Sequence, residues 1–540
     1  MTLSFVHVRR GVVAGVVAGV LLVGTAAAGD SSPGGWLAPS AELGPPLTAL
    51  SFSIGVAPTG DAVLAWADTL RAGTTSKRAG HSWDRPSLLG DSLMFPTVAL
   101  DDAGNAILIA FQSPGGASRT VAFKRAASSD AWAGPVVLSG TDYNAFVPPA
   151  LAVNHIGQAI AAWVRSEGDL LVLRASLRSR DGTWSPAQSL GYAGYLGNRP
   201  PSVAIDDTGD AVVVWTRGPE TAANVYAEVR PAGGDWQPAD LLSIRGDGRL
   251  ETKVVVNGRG DALAVWAELD QPEKATLYSA RLAAGATRWS KPTPVPVTDG
   301  FDAAGAYDFF DGRLSVALDE VGNATLVAPT GQMQVEAATL PEGSETWEGP
   351  VVIGDGGSGN YRHEGYCLTP QVGVDAHGGA VAIWGGAGLY AARRPAGSHT
   401  WEKPVRVAAA PTCFGRVLAV DAAGNAVAAW NAGWQAGSQS LGRVDAAVLD
   451  ATPPVLERPV APATARVRRR VRFSVDVSDA WSKLARPPLW QFGDGTSARG
   501  LSVRHAYLRR GSYHVTVTAE DLAGNRATST VDVRVRRRPR

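Results

Sequence analysis

The chain of 540 residues is too long for one domain and points to two or three. Hydrophobic residues make up 45% and charged residues 19%, a globular balance, while 62 Gly and 35 Pro favour turns and short strands over long helices. The net charge of zero hides an asymmetry: residues 29–451 carry 30 Lys+Arg against 43 Asp+Glu, and residues 452–540 carry 18 against 7. The acidic body argues against nucleic acid as a partner. The basic C-terminal part suits an acidic envelope polymer or lipid surface.

In chain order, the first segment reads as an export signal, residues 1–28. Arg9 and Arg10 form a basic start, Gly11 to Gly24 is apolar, and Ala26, Ala27 and Ala28 offer a small-residue cleavage site before Gly29. A retained anchor is the alternative, because the apolar run approaches a membrane-spanning length of about 18 residues. No other segment is apolar enough to span a membrane. With Arg favoured over Lys, the expectation is a bacterial protein that is secreted or displayed on the cell surface.

From there to about residue 450 one pattern recurs eight times. An apolar run meets Asp or Asn, then two residues, Gly, a polar residue, Ala, and an apolar run ending in Trp, as in Ser202 to Trp215, with Ala57 standing for the Asp in one copy and Ala110 and Ala328 for the Trp in two. The Gly column is Gly60, Gly104, Gly157, Gly209, Gly260, Gly322, Gly378 and Gly424. Asp or Asn caps a tight turn and Gly supplies the positive φ that closes it, so the column reads as a series of hairpins rather than as catalytic or calcium-binding aspartates. A second column, Trp36, Trp83, Trp132, Trp184, Trp236, Trp289, Trp347 and Trp401, precedes Pro and an apolar strand in most copies. Each unit then holds four strands: a before the Asp, b ending at Trp, c of the Tyr-Ala-x-Arg type, and d after the second Trp. Four short strands per repeat of about 52 residues predict a β-propeller blade.

The first strand of the series is a d strand, Trp36 to Leu43, and the last is a c strand, Arg443 to Leu449. Closing the ring with the N-terminal strand removes an open sheet edge. The expected architecture is therefore all-β: an eight-bladed β-propeller over residues 29–450, with seven blades the alternative. The turn Ser179-Arg-Asp-Gly-Thr-Trp184 resembles the BNR (Asp-box) repeat of sialidase-type propellers, lacking one residue between Asp and Gly. Other copies keep only Gly and Trp, so the resemblance speaks to fold and little to chemistry.

After a linker expected at 451–456, the pattern changes. Trp490-Gln-Phe-Gly-Asp-Gly495, His505-Ala-Tyr507, Gly511-Ser-Tyr-His-Val-Thr-Val517 and Asp521-Leu-Ala-Gly-Asn525 follow one another. The succession is similar to the PKD (polycystic kidney disease) domain family. That resemblance implies an immunoglobulin-like β-sandwich over 457–535 serving as spacer or adhesion module, without catalysis, ahead of a basic tail at 536–540.

Reactive motifs are absent. There is no Gly-x-Ser-x-Gly, no His-Glu-x-x-His, no phosphate loop and no Cys-x-x-Cys, so no catalytic residue, cofactor or metal is expected. The d–a connections hold aromatic residues among charged and amide groups: Tyr192, Tyr195 and Arg199; Tyr307, Asp308 and Phe309; Tyr361, Arg362, His363 and Tyr366. Aromatic faces pack on the C–H surfaces of sugars while polar groups take hydroxyls, and the same set suits a protein partner. These residues are the candidate ligand site, on the rim where d–a and b–c connections meet. Cys367 and Cys413 each lie eight residues before a motif aspartate in adjacent loops, and a disulfide between them is expected. The resulting expectation is a monomeric, non-catalytic binding protein for an extracellular glycan or a surface protein. The competing class is a propeller-fold glycoside hydrolase or polysaccharide lyase, whose carboxylate pair leaves no local sequence trace.

Overall fold

The structure is a computed structural model that describes residues 33–537 apart from 45–50, 69–70, 115–117, 141–146, 169, 194–199, 219–222, 246–250, 272–273, 298–300, 303–313, 331–333, 357–367, 410–414 and 433–442. Among the described residues no helix is long and apolar enough to cross a membrane. The fold is all-β, built of many small sheets that are antiparallel except where Thr464–Arg466 pairs with Arg526–Arg536.

Between Ser51 and Leu449 the described residues form eight consecutive sheets, six of them four-stranded in the simple order a-b-c-d. The fifth gains a short strand, Phe301–Asp302, and the eighth has only a, b and c. Each a strand packs against the a strand of the next sheet, from Ser51–Val56 through to Arg416–Val420, and the last packs back on the first. The N-terminal segment lies beside the eighth sheet, where Trp36 bridges Leu449 and Ser40 bridges Ala446.

The turn column explains the hairpins. The Asp206 carboxylate accepts the amide N–H groups of Thr208, Gly209 and Asp210 at 2.9, 2.8 and 2.8 Å, satisfying donors that the tight turn would otherwise orphan. Gly260 shows why the column admits no side chain: its φ is +94°, and a Cβ would sit 2.7 Å from the Asp206 carboxylate of the preceding sheet. Neighbouring turns are also tied together, Asn154 Nδ2 donating to the Asp206 carbonyl at 2.8 Å.

The second Trp column fills the seams. Trp132 packs between the first and second sheets, and Trp184, Trp236, Trp289, Trp347 and Trp401 occupy the successive seams. Trp36 lies between the seventh and eighth sheets, and Trp83 between the eighth and the first. Thus each seam receives one d-strand indole, with Trp36 supplied from the N-terminal segment.

Residues 455–536 form a β-sandwich. One sheet runs in the order Thr464–Arg466, Arg526–Arg536, Gly511–Glu520, Leu489–Gln491, Ser497–Arg499; facing it, Val471–Ser474 pairs with Ser502–His505. Val455–Leu456, within the segment read as linker, pairs with Val477–Ser478. Phe473, Trp490, Phe492, Tyr507, Val515 and Val533 are its fully buried core. The signature residues meet there: Tyr507 donates to the Phe492 carbonyl at 3.3 Å, and the His505 ring stacks on Phe492 at 4.0 Å while Nε2 lies 2.8 Å from Asp494 Oδ2.

The sandwich sits against the ring at the seam between the eighth and first sheets. Trp481, 3% exposed, inserts beside Ala62, Leu64, Val448 and Trp83. Gly80 N donates to the Ala480 carbonyl at 2.7 Å and Lys77 Nζ does so at 3.3 Å. A Cβ on Gly60 would come within 2.8 Å of that carbonyl. Gly60 and Gly80 belong to the a–b and c–d turns of the first sheet, so the C-terminal domain covers part of the rim of short turns.

Candidate functional site

On the opposite rim the d–a connections differ widely in length, from the single residue Ser92 between the first and second sheets to residues 356–370 between the sixth and seventh. Of the candidate ligand residues, Tyr192 is described: it ends the third d strand, half-buried, and its carbonyl accepts Trp215 Nε1 at 3.4 Å. Tyr195, Arg199, Tyr307, Asp308, Phe309, Tyr361, Arg362, His363 and Tyr366 lie outside the described residues, as do Cys367, Cys413 and the segment 1–28.

Three of the described carboxylates of this rim are engaged by the fold. Fully buried Glu268 accepts Ile244 N at 2.8 Å, Arg245 N at 3.1 Å and Trp266 Nε1 at 2.8 Å, so it ties the fourth d–a connection to the fifth sheet. Glu167 accepts Arg174 Nε at 3.0 Å. Asp445 holds Arg443 bidentately at 2.8 and 2.9 Å. Such pairs position loops, and the charge-assisted bonds give the rim a rigid base.

Two carboxylate sites escaped the sequence reading. Glu228 stands mid-strand in the fourth sheet, where the same register position holds Ser176, Ala280, Ala338 and Ala392 in other sheets. Burial pushes its carboxyl up to about 7, and Oε2 is enclosed without a hydrogen-bond partner. Because the folded chain holds this proton more tightly than the unfolded chain, the stability it contributes is present below the ordinary carboxyl range and is lost as pH rises toward 7. Glu228→Gln is therefore expected to stabilise the protein at pH 8 by about 1 kcal/mol, allowing for screening at a half-exposed site, and to change little at pH 4. Thermal melts at the two pH values check this.

The second site lies where the two domains join. Asp450, which follows the last c strand, meets Asp479 and Asp521 of the sandwich, their carboxylate oxygens all within 4.8 Å of one another. Asp450 is 1% exposed; its Oδ2, Asp479 Oδ2 and the Ser482 hydroxyl are buried without hydrogen-bond partners. Burial pushes Asp450 up to about 6; the Ser482 hydroxyl lies close enough to oppose the shift, and Asp479 and Asp521 reinforce it. Asp479 is raised as well, first by burial. Lys77 is the nearby cation, drawn by Asp61, Asp450 and Asp479 but itself shifted downward by burial. Asn525 braces the group, its Nδ2 donating to the Asp450 carbonyl at 3.0 Å and Asp521 Oδ2 at 2.9 Å.

Three crowded carboxylates are relieved either by a proton or by a hard divalent cation, for which carboxylate and hydroxyl oxygens are the fitting ligands. In chelator, stability contributed by Asp450 is present below the usual carboxylate range and falls as pH rises toward 6. Millimolar calcium at pH 8 is expected to raise the melting temperature, and Asp521→Asn to remove most of that increment; scanning calorimetry with and without chelator measures both.

Residues 451–535 match the family model of the PKD domain. The solved PKD1 domain of the Vibrio cholerae metalloprotease PrtV is 26% identical, covering 16% of this chain and 98% of its own, with a TM-score of 0.14. The Aleuria aurantia lectin is similar at 11% identity over 58% of this chain and 98% of its own, TM-score 0.37. The Hadza microbial sialidase Hz136 is similar at 12% identity over 61% and 73%, TM-score 0.32. The C-terminal portion of this chain, residues 451–535, is thus a PKD domain.

Proposed function

We propose that the chain is an exported, non-catalytic binding protein that recognises extracellular polysaccharide through the rim of d–a and b–c connections. In this reading residues 1–28 are a cleaved signal and the ring is an eight-bladed propeller closed by the N-terminal strand. Cys367 and Cys413 form a disulfide bracing two rim loops, and the protein acts as a monomer. The observation that carries it is the unlike construction of the two rims. One carries a–b turns that are all five residues long, most of them capped by Asp or Asn, and is partly covered by the PKD domain. The other collects irregular connections rich in Tyr, Phe, Arg and Asp on a rigid base, where binding concentrates in scaffolds of this type.

The test is a glycan array probed with protein lacking residues 1–28, alongside a variant carrying Tyr195→Ala, Tyr307→Ala and Tyr361→Ala. The expected result is selective retention of one polysaccharide class and its loss in the variant, with the glycan recovered intact. Cleavage of the bound glycan would instead establish a hydrolase or lyase. A blank array would move the reading to a protein partner on the same rim.

A further inference from the structure

We infer that the pole of the PKD domain farthest from the ring docks on an anionic lipid surface. The topology brings three chain segments to that pole: the turn between Thr464–Arg466 and Val471–Ser474, the turn before Gly511–Glu520, and the end of Arg526–Arg536. They are held together by backbone bonds, Val467 N donating to the Arg536 carbonyl at 3.1 Å and Arg468 N to the Tyr507 carbonyl at 2.8 Å. Ten residues of strand separate this end from the Asp521 junction, about 30 Å at the usual rise.

The pole is strongly cationic. The first turn brings Arg466, Arg468, Arg469 and Arg470, all exposed. Arg509 and Arg510 come from the second, Arg536 and Arg537 from the third, exposed likewise. Neither 464–472, 505–513 nor 533–537 contains an Asp or Glu, and among the described residues none of these eight guanidinium groups has a carboxylate partner. Arg466 stands directly across from Arg536 in the sheet. Like charges so placed weaken a sheet, so folding alone does not account for them.

Leu508 decides the class of partner. It is 72% exposed at the tip of the second turn, beside Arg509 and Arg510. A charged polysaccharide offers nothing to an aliphatic tip ringed by arginines, whereas a bilayer interface accepts the leucine while its anionic headgroups meet the cations. The rest of the molecule supports one orientation. Residues 29–451 have an acidic excess that an anionic surface repels. The PKD domain covers part of the rim of a–b turns, so a molecule standing on this pole points the opposite rim outward.

The probe is a sedimentation assay with vesicles of phosphatidylcholine containing about 30% phosphatidylglycerol, using protein lacking residues 1–28. The expected result is binding that vanishes on pure phosphatidylcholine and drops steeply between about 50 and 300 mM NaCl. Arg509→Glu with Arg510→Glu should weaken it at least tenfold, roughly the loss expected from removing two surface cations, and Leu508→Asp should weaken it with the arginines intact. Arg526→Gln, at the opposite end of the same sheet, should leave it unchanged. All four positions are exposed, and unchanged melting of the variants confirms that they fold. Equal binding to neutral vesicles, or indifference to these variants, overturns the inference. Competition by soluble alginate with no effect of Leu508→Asp would assign the pole to an anionic polysaccharide instead. The rim takes no part in this assay, so its outcome is separate from that of the glycan array.

Discussion

Removing residues 33–44 is expected to lower the melting temperature by more than about 10 °C, far beyond the effect of trimming a free terminus. The segment places Trp36, 1% exposed, in the seam between the seventh and eighth sheets and Leu43 in the next seam. Leu37 N, Ser40 N and Leu43 N donate to carbonyls of Arg443–Leu449 at 2.7, 2.8 and 2.8 Å. Deletion would open the edge of that strand and uncover two apolar seams at once. The point variant Trp36→Ala isolates the packing share, about 3–5 kcal/mol for a buried indole. Because Trp347 occupies the corresponding place between the fifth and sixth sheets, Trp347→Ala should cost a similar amount. Denaturant titrations of both compare them, and unchanged melting on deletion would show that the segment does not belong to the ring.

The second large effect is expected at Trp481. Its indole packs in a seam of the ring and is not part of the sandwich core around Phe473 and Trp490. Trp481→Ala should therefore leave the PKD domain folded yet free it from the ring. The loss is again about 3–5 kcal/mol, here taken from docking. Lys77, 5.2 Å above the indole, loses its contact in the same step. Small-angle scattering should report an extended molecule, calorimetry two separated transitions, and protease new cleavage near Thr452 to Pro454. A compact particle with a single transition would contradict the docking.

What the sequence made legible is what repeats. Gly260 and its equivalents stand out because a positive φ in a crowded turn admits nothing else, and the Trp of each seam stands out because every seam needs one large side chain. The PKD signature was readable for a related reason, since Trp490, Phe492, His505 and Tyr507 share one core. The junction was not readable. Asp450, Asp479 and Asp521 belong to three separate loops, and Trp481 follows a Ser-Asp-Ala stretch with no local sign that it enters another domain. Glu228 was equally silent: in Val225 to Arg230 it occupies an ordinary strand position, and its raised carboxyl arises from the packing of two sheets. The candidate ligand residues were named from the composition of the connections, which carries chemistry but no geometry.

Ligand is expected to meet the rim of d–a and b–c connections, away from the PKD domain. Hydrogen–deuterium exchange with and without the polysaccharide selected on the array tests it most directly. Slowed exchange is expected in 194–199, 303–311 and 361–366, with the Asp-x-x-Gly turns and the Asp450 junction unchanged. Protection confined to those turns or to the PKD domain would contradict it.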